Sequence, residues 1–314
     1  MHLGDQLTLP GIGEPAQAAR VAGPPMDVHG TLPWSVLRQD ARTWQDRKRW
    51  WLALGVHDDA PRTGAGGMMA TGRHGLLSGG LSRFDPHLAE VCYRWYCPPG
   101  GRVLDPTAGG PVRGLVAGHL GYEYLGVDLL ESQVDANRQA ALGWQQAGLL
   151  GDLSPLWVHG DAVDALPRMS SARYDYALSC PPYHNRERYN AGPGDLSGMP
   201  WPAFLVAHAA IVSETVRLLR PDRFATWVVS DIRDHRGHLR GFPARVMGHF
   251  EAAGAHLVNE QILITPVGTA HKRMRPPWTA ARTATRLHQV VLTFVKGSRQ
   301  MATLAVRGGD DDRA

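Results

Sequence analysis

Cysteine is scarce in this 314-residue chain, where Cys92, Cys97 and Cys180 are the whole complement. Three are too few for a disulfide framework, and Cys92 with Cys97 lacks the second ligand pair of a structural zinc site, so a reducing cytoplasm is the expected compartment. Long apolar runs are also missing, because nothing approaches the about 18 to 20 residues of a membrane-spanning helix. The opening residues Met1-His2-Leu3-Gly4-Asp5 show no basic stretch leading into an apolar core, which reads as no secretory signal. Acid is absent from one long segment, Pro266 to Leu287, which carries Lys272, Arg273, Arg275, Arg282 and Arg286 together with Trp278. Over the whole chain the imbalance is small, a net charge of +4, and it suits a polyanionic partner without demanding one.

Four regions follow from composition and periodicity. Residues 1–32 are rich in Gly, Pro and Ala and read as a loose arm. Residues 33–80 read as a helical extension with a basic, aromatic helix around Trp44, Arg47, Lys48, Arg49, Trp50 and Trp51, followed by a Gly-rich stretch. Residues 81–297 read as a catalytic domain containing the basic segment 266–287 as a loop, and residues 298–314 as a disordered tail.

Within the catalytic region short apolar runs alternate with helical segments. The runs Arg102–Asp105, Glu123–Asp128, Leu156–Asp161, Tyr174–Ser179 and Phe224–Ser230 read as five strands of βα units. Two more, His256–Ile264 and His288–Val295, have no helix-like segment between them and are expected to pair antiparallel. The expected fold is therefore α/β: a doubly wound, Rossmann-like sheet of seven strands, mostly parallel, with the last strand antiparallel.

In such a sheet ligands bind at the carboxyl ends of the strands near the point where strand order reverses. The first strand ends in Asp105-Pro106-Thr107-Ala108-Gly109-Gly110 and the second in Asp128, placed to hold ribose hydroxyls through bonds of about 1.5–3 kcal/mol each. Asp128 is also placed to cap the helix that follows. Asp161 ends the third strand, where an acid can accept from an adenine amino group. The first turn is not G-x-G-x-x-G, so it offers no bare helix N-terminus to a pyrophosphate. An acid at Asp105 would suit a cationic amino group and repel a dinucleotide. S-adenosylmethionine satisfies both conditions.

The fourth strand runs into Cys180-Pro181-Pro182-Tyr183. The diproline stiffens the chain and removes two donors, leaving the carbonyls of Cys180 and Pro181 to face a ligand and Tyr183 to offer its ring. Acceptors on the N–H groups of an aromatic amine localise the nitrogen lone pair for attack on a methyl, chemistry that needs positioning and electrostatics and no metal.

The pair DPTAGG and CPPY resembles motifs I and IV of the DNA amino-methyltransferases, which make N6-methyladenine or N4-methylcytosine. With PWSVLRQDARTWQDRKRWWLALG, SCPPYHNRERYN and HQVVLTFVKG, the chain is similar to phage and prophage modification methylases over roughly residues 33–297. The resemblance implies a class I methyltransferase using S-adenosylmethionine. It places Asp105, Thr107, Ala108 and Gly109 at the methionine end, Asp128 at the ribose, Asp161 at the adenine edge, and Cys180 to Tyr183 at the target base, with Phe84 and Asp85 closing over the cofactor. Cys180 departs from the Asp, Asn or Ser usual at its position, and a thiol is a weaker acceptor. Double-stranded DNA is the expected partner, contacted by Arg186 and Arg188 after the tetrad and by Lys272, Arg273, Arg275, Trp278 and Arg282. No recognition domain fits between the two motifs, so sequence readout calls on these loops or on a second subunit in a homodimer. The alternatives are a methyltransferase acting on RNA guanine N2 or protein glutamine, and a non-catalytic binding protein.

Overall fold

The computed structural model of the chain describes residues 26–56, 84–151, 153–184, 192, 194–268 and 270–308, with backbone alone for residues 270–273. The strands are β1 (Val36–Arg38), β2 (Arg102–Asp105), β3 (Glu123–Asp128), β4 (Leu156–His159), β5 (Tyr174–Ser179), β6 (Leu219–Val229), β7 (Ala255–Ile264) and β8 (His288–Lys296). They form one sheet in the order β1-β7-β8-β6-β5-β2-β3-β4, in which only β8 runs against its neighbours. This is the expected Rossmann-like α/β fold, a mostly parallel sheet with one antiparallel strand.

The helices are α1 (Arg42–Ala53), α2 (Pro86–Tyr96), α3 (Val112–His119), α4 (Glu131–Gln146), α5 (Ala162–Ala165), α6 (Trp201–Leu218), α7 (Phe242–Ala252), α8 (Ala270–Ala281) and α9 (Arg299–Val306). The period-2 pattern of the strands divides the core into two layers. On β6, Ala225, Trp227 and Val229 join α6 and α7 in one layer, whereas Phe224 and Val228 join α1 to α4 and α9 in the other. β8 repeats the division, with Val290, Leu292 and Phe294 on one side and Val291 and Val295 on the other. From β2 the chain winds outward through α3, β3, α4 and β4, then returns to the other side of β2 with β5. The reversal therefore lies between β2 and β5, which pair directly. No helix among the described residues is long and apolar enough to cross a membrane.

Four sequence expectations change. The sheet has eight strands where seven are expected, because Val36–Arg38 adds β1 in parallel to the outer edge of β7. The segment 266–287 is not a loop throughout but contains α8, hidden from periodicity by Pro276 and Pro277 inside it. The expected disordered tail begins with α9, whose first turn is capped by Ser298 and whose Ala302 and Val306 are buried. Part of the expected loose arm is docked: Val28 is buried and bridges Thr31. Residues 1–25, 57–83 and 309–314 lie outside the described residues.

The aromatic helix forms as expected, and an acid explains its seat. Glu90 on α2 is wholly buried and accepts from Arg47 (2.8 and 2.9 Å), Trp51 (2.8 Å) and Arg94 (3.1 Å), with His29 Nε2 at 3.1 Å. Burial alone would raise its pKa, but hydrogen bonds from His29, His87 and Arg47 outweigh it and hold the carboxyl well below the usual range. α1 is thus fixed to α2 by charge as well as by Trp44 and Trp51.

Candidate active site

The carboxyl ends of β2, β3 and β5 open into a cavity of about 1260 Å³. After β2 the chain turns through Thr107, Ala108, Gly109 and Gly110, with Gly109 at φ 55°, where a side chain would be strained. Asp128 stitches the end of β3 to this turn, because its carboxylate accepts from Gly109 N (2.7 Å) and Leu130 N (2.9 Å). Asn137 Nδ2 donates to Gly109 O at 2.8 Å, and Thr107 Oγ1 lies 2.6 Å from Ser179 Oγ on β5. Asp161 caps α5 through Val163 N at 2.9 Å. Thr107, Ala108, Gly109, Asp128 and Asp161 all line the cavity. Gly194 closes over Asp161 at φ 89°, and a Cβ there would collide with Asp161 Oδ2.

Asp105 is a correction. It is fully buried, absent from the cavity wall, and its carboxylate is consumed inside the protein. Arg113 Nε donates to it at 2.5 Å, Tyr124 Oη at 2.8 Å and Ser179 Oγ at 3.1 Å. A ligand ammonium therefore cannot be its partner, and the charge argument built on Asp105 falls with it. The cavity sees the pairing cation instead. Arg113 lines the wall, donates through Nη2 to the carbonyls of Thr107 and Ala108 (both 2.8 Å), and stacks 4.7 Å from the Phe84 ring centroid. Its Nη1 has no partner among the described residues. Burial would lower the Arg113 pKa, but the adjacent Asp105 charge raises it above its ordinary value.

Phe84 and Asp85 both reach the cavity, though Asp85 serves the protein first. Asp85 caps α2 through His87 N (2.9 Å) and also takes Trp44 Nε1 (3.2 Å) and Lys48 Nζ (3.1 Å). Lys48 joins the wall, so the basic face of α1 is near the candidate cofactor end.

Comparison with known proteins adds likenesses of low identity. No family model matches the chain, and no curated protein matches it either. Among solved structures it is similar to TrmN from Thermus thermophilus, with 19% identity over 68% of this chain and a TM-score of 0.45. It spans about half of that protein, 49% of its length. It is similar to magnesium protoporphyrin IX methyltransferase from Synechocystis PCC 6803, solved with bound SAM: 14% identity over 69% of this chain and 87% of that one, TM-score 0.42. A second Thermus thermophilus protein, described as a DNA modification methylase, matches at 20% identity over 44% of this chain and 51% of that one, TM-score 0.33.

Cys180, Pro181, Pro182 and Tyr183 leave β5 along the same cavity. Tyr183 is 8% exposed, and its hydroxyl lies 3.1 Å from Cys180 Sγ and accepts from Gln289 Nε2 at 2.7 Å. The tetrad thus faces a polar wall from β6 and β8. Asp231 accepts from the main-chain N–H of Ile232 (2.8 Å) and Phe242 (3.0 Å) and lies 4.0 Å from Arg286 Nη2. Arg286 Nη1 donates to His288 Nε2 at 3.0 Å, and burial with the Arg286 charge lowers the His288 pKa.

Of the residues expected to meet nucleic acid, Arg186 and Arg188 lie outside the described residues, as do the side chains of Lys272 and Arg273. Arg275, Trp278 and Arg282 are exposed on or just after α8, with Trp278 51% exposed and the Arg282 guanidinium 5.8 Å from its ring centroid. Pro277 and Thr283 to Arg286 line the cavity, so α8 stands at its mouth.

Sequence reasoning missed Arg113, His288 and Gln289 as wall residues. A signal existed for the last two. An antiparallel strand begins where its parallel neighbours end, so the polar pair opening HQVVLTFVK had to fall at the ligand-binding edge.

Proposed function

We propose that this chain transfers the methyl group of S-adenosylmethionine to an exocyclic amino group of a base in DNA, adenine N6 or cytosine N4. One observation carries the reading. The Cys180–Tyr183 tetrad and the Gly109 turn end adjacent parallel strands and open into one cavity with Asp128 and Asp161. The wall residues suit the cofactor. Asp128 would hold the ribose hydroxyls, Asp161 the adenine amino group, and Arg113, at the cavity wall, the methionine carboxylate. That last role replaces the one expected of Asp105. Pro111 at the start of α3 lacks an N–H, which makes the turn a poor seat for a pyrophosphate. When bound, the cofactor would supply an electrophilic methyl group on sulfur.

The chain's own groups do the rest. A carbonyl of Cys180 or Pro181 would accept from an aromatic amino group, helping to hold its lone pair out of the ring. Tyr183, fixed at its hydroxyl from two sides, gives the base an edge to pack against. The basic α8 at the mouth, with Trp278 outward, would take phosphates and stabilise a flipped nucleotide.

The test is transfer of labelled methyl from S-adenosylmethionine to unmodified duplex DNA, transfer RNA and protein in parallel, followed by nucleoside mass spectrometry. N6-methyladenine or N4-methylcytosine in DNA is the expected product. Label confined to RNA or protein would refute the substrate and leave the reaction class standing.

A further inference from the structure

We propose that the side-chain amide of Gln289 reads the target base, pairing with an amino group and the ring nitrogen beside it. This rests on the methyl-transfer reading above. Gln289 lies at the start of β8, at the edge where β2 and β5 end, and lines the cavity beside the tetrad. Its Nε2 donates to Tyr183 Oη at 2.7 Å. The same hydroxyl lies 3.1 Å from Cys180 Sγ, and either group can be the donor between them. With Nε2 on the Tyr183 hydroxyl, Oε1 is the other end of the amide.

The result is an oriented amide with capacity to spare. Gln289 Oε1 has no hydrogen-bond partner among the described residues, and Nε2 keeps a second hydrogen. The amide thus offers an acceptor beside a donor. Adenine and cytosine present the complement, an amino N–H beside an unprotonated ring nitrogen. Hypoxanthine and uracil present the reverse, a carbonyl beside a ring N–H. Cys180 gains a role that does not call for a strong acceptor. Its sulfur meets the Tyr183 hydroxyl, and so acts as a positioning group for the Tyr183–Gln289 pair.

The experiment measures binding of short single-stranded homopolymers to the full chain loaded with sinefungin, an unreactive analogue of the cofactor. Oligo(dA) is compared with oligo(dI), and oligo(dC) with oligo(dU), by fluorescence anisotropy. The wild type should favour the amino-bearing member of at least one pair by roughly 5- to 100-fold, the range expected of a bidentate contact. Gln289→Met should bring that ratio near one with sinefungin affinity unchanged. Gln289→Glu, which accepts only, should invert it, because a carboxylate repels a ring nitrogen lone pair and attracts a ring N–H. A merely structural role would weaken both members of a pair equally. Equal weakening, an unchanged ratio in the variants, or no discrimination by the loaded wild type overturns the inference and leaves the methyl-transfer reading intact. Failure of the wild type to bind sinefungin sinks both.

Discussion

Lowering the pH from 7 to 5 should destabilise this protein through one histidine. His208 on α6 is buried between layers, with Trp227 Nε1 3.2 Å from its Nε2 and His249 Nδ1 2.8 Å from its Nδ1. An indole only donates, so His208 Nε2 accepts, and its single proton sits on Nδ1 facing His249. The arrangement admits the neutral ring alone. Burial, and then the His249 charge, lower the His208 pKa from 6.5 to about 3. The folded value lies below the unfolded one, so the unfolded chain binds more protons between them. The stability involved is therefore full above pH 6.5 and is lost as pH falls toward 3. The loss is about 2 kcal/mol at pH 5 and rises to between about 4 and 5 kcal/mol at pH 3. His249 is shifted the same way, by partial burial and by Arg245, and adds to the effect. Urea unfolding at pH 7 and pH 5 would measure it, with His208→Gln as the control because glutamine keeps a donor and an acceptor without titrating. The wild type should lose about 2 kcal/mol more than the variant over that interval. Equal losses would refute the argument.

Two further outcomes follow from the site and its support. Gly194→Ala should push Asp161 from its place and strain the backbone at φ 89°, weakening S-adenosylmethionine binding by about tenfold in calorimetry, equivalent to about 1.4 kcal/mol. Unchanged affinity would remove Asp161 from the cofactor pocket. Glu90→Gln should cost about 3 kcal/mol in chemical denaturation, since it leaves half-buried Arg47 without the counter-charge of a wholly buried carboxylate. In the wild type the depressed Glu90 pKa makes the same stability present above about pH 4.3 and lost as pH falls below it, so the variant's stability should depend less on pH there.

Much of the sheet was legible because its strands are short apolar runs closed by acids or turn residues. β2, β3 and β5 begin and end where their residues predict. β6 starts earlier than expected, at Leu219, because Pro221 and Asp222 interrupt the apolar pattern and Asp222 takes φ 56°. α8 escaped for its two prolines, and α9 because it is only eight residues long and follows Gly297. The cavity residues were legible as strand-end acids, a property of local order. Their division of labour was not. Asp105 and Asp128 look alike in the sequence, yet Arg113 in the first turn of α3 and Tyr124 on the neighbouring strand engage the first and leave the second at the cavity. Which carboxylate meets such a pair depends on side-chain directions across strands, and periodicity carries no record of those.

The edge strand β1 ties the order of folding to ligand binding. Its three residues rest against Ile262 to Ile264, and Gln261 Nε2 reaches back to Trp34 O across 227 positions of chain. Closing so long a loop is slow, and the segment has no seat until β7 and β8 have paired. That same segment carries Gln39 and Lys48, which complete the cavity wall around Asp85. The Asp85 end of the cavity is thus finished only when the segment carrying β1 docks against β7. A ligand bound there would favour the closed chain over every partly assembled one, and so would proofread its folding.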